Sequence, residues 1–174
     1  MQALPKRTHA RAARAAAAAI LSLAPLTPAT AQAPDGAEAE VLAAVQEFFD
    51  AMAARDSVAA ADILIDEGVF FAVGTQDGVP GHTVSSHAAF ARLVGQLEDP
   101  IIERMWDPEV LMHGPIAIVW APYDLYRGDD FSHCGVDGFS LVRTPDGWKI
   151  AAIIFTRETE DCPDNPAGPL GGGS

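Results

Sequence analysis

Residues 120–157 read WAPYDLYRGDDFSHCGVDGFSLVRTPDGWKIAAIIFTR. Apolar and aromatic residues dominate this stretch, and two clusters of turn formers break it, Arg127-Gly128-Asp129-Asp130 and Thr144-Pro145-Asp146-Gly147. The second places proline and glycine where a type I or II turn wants them. The reading is three consecutive antiparallel strands, over residues 116–126, 131–143 and 148–158. Most groups able to carry chemistry lie within them.

Upstream, residues 101–106 and 110–113 read as strand, interrupted at Asp107-Pro108. Before that, Val41, Val45, Phe48, Phe49 and Met52 recur at helical spacing, predicting a helix over residues 37–54. Asp56 is placed to cap a second helix over 57–63, and Ser85 or Ser86 a third running to about residue 97. Residues 69–73 form a short apolar strand, and the glycines and proline of residues 74–83 predict a loop. Helices first and antiparallel strands last is the α+β pattern. The expected architecture is a cone-shaped roll of three N-terminal helices packed on a curved, mostly antiparallel sheet. Its open end would hold a small ligand.

The ends of the chain read differently. Lys6, Arg7, Arg11 and Arg14 precede an alanine-rich apolar run over residues 15–26, followed by A-x-A sites at residues 29–31 and 31–33. This predicts a secretory signal peptide over residues 1–31, cut after Ala31, and the run is too short to span a membrane. Residues 32–37 would be a linker, 38–162 the folded domain and 163–174 a disordered tail rich in proline and glycine. Export to the periplasm or beyond makes a Cys134–Cys162 disulfide the expected pairing of the two cysteines. No metal site is expected, since His133-Cys134 is a lone adjacent pair.

The chain of 174 residues carries a formal net charge of −13. That excludes a nucleic-acid partner, whose phosphates require a basic face, and an anionic membrane surface. No G-x-S-x-G, H-E-x-x-H, paired C-x-x-C or phosphate loop is present. No cofactor is expected.

His133 is the first candidate for chemistry, as a general acid or base near neutral pH. Asp137, four residues on, shares its strand face and would orient or charge it. A tyrosine, Tyr123, would donate to a developing oxyanion. Parity puts Trp120, Asp124 and Tyr126 on one face and Tyr123 on the other, but a bulge at Pro122 would exchange them, so which tyrosine faces the cone stays open. Trp120, Tyr126, Phe139, Trp106, Phe71 and Arg157 are candidate ligand contacts, each with core packing or ion pairing as the structural alternative. The last strand is apolar on both parities, with Trp148, Ile150 and Ile154 on one face and Ala151, Ile153 and Phe155 on the other. The face turned from the helices needs a cover, and a second subunit's sheet is the expected one, giving a homodimer.

Three pieces also carry a resemblance: Trp120-Ala-Pro-Tyr123, then His133-Cys-Gly-Val with Phe139, then Gly147-Trp-Lys-Ile150. Over residues 38–162 the chain resembles the nuclear-transport-factor-2-like (NTF2-like) superfamily. Within it, the chain is similar to bacterial secreted members labelled lumazine-binding or polyketide-cyclase-like. The resemblance implies the cone, commonly dimeric. It implies little about function, because the superfamily holds isomerases, dehydratases, cyclases and non-catalytic carriers. The leading expectation is a non-catalytic domain binding a small apolar or aromatic molecule. The alternatives are a cofactor-free isomerase, dehydratase or cyclase using the His-Asp pair and a tyrosine, and an assembly module with a filled cone. An enzyme needs a polar pair facing an open cavity, a carrier an open apolar cavity, and an assembly module none.

Overall fold

The computed structural model describes residues 36–76 and 79–170. The expected signal peptide and most of the expected linker lie outside them, and Gly36 and Ala37 begin the first helix. Helix α1 (Gly36–Ala54) buries Val41, Val45, Phe48, Phe49 and Met52 almost completely. Fully burying side chains of this size is worth about 1.5–3 kcal/mol each. In α2 (Ser57–Ile63) the Asp56 carboxylate accepts from the Val58 and Ala59 amides, both at 3.0 Å. Ser86 caps α3 (His87–Val94), its hydroxyl accepting from the Ala89 amide at 3.2 Å. This helix ends at Val94 with Gly95 as its C-cap, three residues short of the expected Leu97. A Cβ on Gly95 would lie 2.9 Å from the Ser57 Cβ, so the chain turns where α3 meets α2 most closely.

Six of the seven strands follow one path, β2-β1-β7-β6-β5-β3, and β4 pairs with β5 off that path. They are β1 (Leu64–Gln76), β2 (Val79–Ser86), β3 (Ile101–Met105), β4 (Glu109–His113), β5 (Ile116–Arg127), β6 (Asp130–Thr144) and β7 (Gly147–Arg157). All pairings are antiparallel except β1 with β7. This is the expected α+β roll, with the helices on the inner face of the sheet.

Three readings are corrected. The segment expected as a loop is mostly β2, hydrogen-bonded to a β1 longer than expected. Its Pro80 and Gly81 are tolerated because β2 is the edge of the sheet, where a missing donor faces no further strand. The faces of β7 also differ. A register shift opposite Ser140 and Leu141 leaves Ala151 without a partner, so Trp148, Ile150, Ile153 and Phe155 turn inward and Ile154 outward. Finally, the tail over residues 163–170 has a defined path. Asn165 donates to Asp124 Oδ2 at 3.2 Å, and the Leu170 amide donates to the Tyr126 hydroxyl at 3.3 Å. The Cys134–Cys162 disulfide anchors this segment to β6.

The core centres on an aromatic cluster. Phe70 stacks on Phe90 with centroids 4.4 Å apart, Phe48 sits 6.1 Å from Phe70, and Phe49 meets Phe139 edge-on. His87 is buried beside it, its Nδ1 2.8 Å from the Ile65 carbonyl. Gly68 makes room for this ring, because a Cβ there would fall 2.0 Å from it.

Candidate functional site

Register decides what faces inward. Across β3, β5 and β6, Glu103 pairs with Leu125 and Leu125 with His133. In the next row Met105 pairs with Tyr123 and Tyr123 with Gly135. The row beyond places Ala121, Asp137, Phe155 and Ala72 side by side. No bulge occurs at Pro122, so simple parity holds and Tyr123 is the tyrosine that faces the cone.

These side chains and the helices enclose a cavity of about 160 Å³. Phe48, Met52, Phe70, Phe90, Phe139 and Phe155 supply most of its wall. Its polar groups are Glu103, Tyr123, Asp137 and His133, with the exposed Arg127 and Arg157 and the β2 hydroxyls of Thr83 and Ser85.

The carboxyls of Glu103 and Asp137 both line the cavity and lie close enough for each to perturb the titration of the other. Burial pushes Glu103 up to about 7; the Asp137 side chain opposes this rise and the Asp124 charge adds to it. Asp137, 1% exposed, is pushed well above the ordinary carboxyl range by burial and then by the charge of Glu103. Two carboxyls this close cannot both ionise cheaply in a dry site, so the pair shares one proton near neutral pH. Asp137 Oδ2 has no hydrogen-bond partner among the described residues.

A stability consequence follows with a definite sign. The native state holds a proton on this pair at pH values where the unfolded chain has released it. The raised pKa therefore contributes fully below about pH 4.5 and is lost as pH rises through about 7. Glu103→Gln is expected to stabilise the protein at pH 8 by about 2–3 kcal/mol and to change little at pH 4.5. Urea melts at the two pH values check this. An equal effect at both would contradict it.

Tyr123 is 1% exposed, and its hydroxyl donates to the Thr156 carbonyl at 2.6 Å. The ring reaches that carbonyl across Gly135, where a Cβ would lie 2.4 Å from the same oxygen. Its proton is directed at this backbone carbonyl rather than into the cavity. Burial raises the phenol further above its ordinary range. His133 has Nδ1 3.0 Å from the Ser132 hydroxyl, and its buried Nε2 has no partner among the described residues. Burial, then Arg157 and Arg127, lower it to about 4, so the ring is neutral. The charge that acts on Asp137 is that of Glu103, and no hydrogen bond between His133 and Asp137 is present among the described residues.

Of the expected ligand contacts, Phe139 and Arg157 line the cavity. Trp120, Tyr126 and Phe71 do not, because their strand positions face outward. Trp120 is 52% exposed and crosses Gly138 on the outer face. Phe71 pairs there with Ile154 and Val84. Tyr126 lies under Arg104, 5.2 Å from its guanidinium carbon, and against Phe131. Trp106 sits past the end of β3, its amide bonded to the Pro122 carbonyl. Among the described residues no three His, Cys, Asp or Glu side chains are grouped to hold a metal ion.

No protein-family model and no curated protein matches the chain. Solved structures do. An NTF2-like protein with a cystatin-like fold from Novosphingobium aromaticivorans superposes with a TM-score of 0.59 at 15% identity, over 76% of this chain and 86% of that one. The chain has the NTF2-like fold. A candidate dehydratase of the NTF2-like family from Streptomyces avermitilis gives a TM-score of 0.55 at 23% identity, covering 68% and 94% of the two chains. A candidate aromatic ring hydroxylase from Novosphingobium aromaticivorans gives 0.56 at 18% identity, covering 72% and 92%. These likenesses bear out the fold read from the three strands.

Within this NTF2-like cone, sequence reasoning missed Glu103 and Arg127. Glu103 had a legible signal: in Ile101-Ile-Glu-Arg-Met105 the glutamate shares its parity with Ile101 and Met105, which puts a carboxyl on the apolar face. Arg127 was read as part of a turn, while its position continues the inward parity of Tyr123 and Leu125.

Proposed function

We propose that this protein is a cofactor-free acid–base enzyme acting on a small, largely apolar molecule, by isomerisation, dehydration or a related proton transfer. The observation that carries the reading is the Glu103–Asp137 pair facing an open cavity. With one proton between them, one carboxylate takes a proton from substrate carbon. The protonated partner returns its own to a developing enolate or departing hydroxyl oxygen. The apolar wall keeps competing water away and holds the pair near neutral pKa.

The test is deuterium exchange. Monocyclic ketones with acidic α-hydrogens, incubated with the protein in D2O, are expected to exchange faster than in buffer, and Asp137→Asn to remove the gain. Non-catalytic binding, favoured by the apolar wall and by the committed Tyr123 hydroxyl, is the second reading. A ligand that occupies the cavity while no ketone exchanges would establish it.

We also infer a homodimer through the outer face of the sheet. Val84, Phe71, Ile154, Gly138 and Trp120 form one cross-strand row there, and Ile154 is 50% exposed. Such a row is costly to leave in water. Sedimentation is expected to show a dimer at tens of micromolar and Ile154→Glu to give a monomer; a monomeric wild type would overturn the inference. Among the described residues no helix is long and apolar enough to cross a membrane. The Cys134–Cys162 disulfide fits an oxidising compartment, which supports export and cleavage after Ala31 as the source of the mature protein.

A further inference from the structure

We propose that the cavity holds a carboxylate-binding subsite formed by Arg127, Arg157 and the Nε2 of His133, so that the substrate is a small apolar acid. The inference rests on the acid–base reading of the cavity floor and adds the substrate class.

The sheet register sets the three groups together. His133 is opposite Leu125, and Arg127 lies two residues further along β5, about 7 Å away on the same face. On the other side, the pairs Cys134 with Glu158 and Asp137 with Phe155 put Arg157 opposite Gly135, one inward position from His133. The two arginines thus occupy the inward rows on either side of the histidine, and all three line the cavity.

Four of the seven described cations, Arg55, Arg92, Arg127 and Arg157, have no carboxylate within 4 Å among the described residues, and of these only Arg127 and Arg157 line this cavity. Acidic residues number 24 against 11 basic ones. Arg104, Arg143 and Lys149 each pair with a carboxylate. His133 lines the cavity, is 5% exposed, and its buried Nε2 has no partner among the described residues. In the tautomer in which the Ser132 hydroxyl donates to Nδ1, the proton is on Nε2, and the proposed subsite uses this tautomer of the neutral ring. Two guanidinium groups and one N–H suit the two oxygens of a carboxylate. An acid held there extends its apolar body along Phe139 and Phe155 towards Glu103 and Asp137.

The probes are phenylacetate, phenylacetamide and phenyl phosphate, titrated calorimetrically into the full chain at low salt. Phenylacetate is expected to bind about tenfold more tightly than its amide. Arg127→Gln and Arg157→Gln each reduce that preference, and the double variant removes it while leaving the amide unchanged. Both side chains are exposed, so the variants keep the fold. Asp137→Asn retains the preference. Equal binding of acid and amide, a preference that survives the double variant, or no binding of either at millimolar concentration overturns the subsite. Tighter binding of phenyl phosphate than of phenylacetate overturns the carboxylate assignment. Exchange of neutral ketones without an acid preference fails the subsite alone; an acid preference without exchange fails the acid–base reading alone.

Discussion

Asp137→Asn is expected to lower the rate of catalysed proton exchange by about 10²–10⁴-fold, the range a positioned acid or base supplies. The substitution is nearly isosteric and removes a charge from a side chain 1% exposed, so the melting temperature should hold or rise. Phenylacetate affinity should change little, because in the proposed subsite Arg127, Arg157 and His133, and not Asp137, contact the carboxylate. That split separates catalysis from packing. A variant that loses exchange, binding and stability together would mean that Asp137 acts only through the fold. Asp137→Ala is the weaker experiment, since it opens a void in a packed interior.

Cys162→Ser is expected to destabilise the domain by about 3–4 kcal/mol, read as a shift of the urea midpoint under non-reducing conditions. The disulfide closes a loop with a sequence separation of 28 and anchors the segment that carries Asn165 and Leu170 to the outer face. Cys162 is the end to change, because Cys134 is fully buried and a hydroxyl there would add a second cost. Wild type in excess reductant should match the variant. An unchanged midpoint would mean that the tail and the closed loop contribute nothing to the native state.

Much of this architecture is visible in the residues because local rules agree there. Helix α1 announces itself through Val41, Val45, Phe48 and Met52, and the caps at Asp56 and Ser86 mark their helices. The β5–β6–β7 meander is equally plain, since its turns carry the right residues. The errors have one physical origin: strand faces depend on register, and register depends on partners the sequence does not display. A bulge in β7 turned Ile153 inward with Ile150. An edge position made a strand of a segment containing Pro80 and Gly81. Pro122 suggested a bulge in β5 that is absent, leaving the face of Tyr123 undecided until its partner Gly135 was known. The site was legible to the same extent. His133, Asp137, Phe139 and Arg157 were found because their strands were obvious. Glu103 was not, because its partner is 34 residues away on a non-neighbouring strand, and only the curvature of the sheet brings the two carboxyls together.

The central claim is that Glu103 and Asp137 hold one shared proton at neutral pH. Carbon-detected NMR of the side-chain carboxyls across pH 3–9 measures this directly. The prediction is a Glu103–Asp137 step near pH 7, well apart from the surface carboxylates, that moves when either partner is made an amide. Two independent titrations below pH 5 would contradict the account, because both groups would then be ordinary solvated carboxylates.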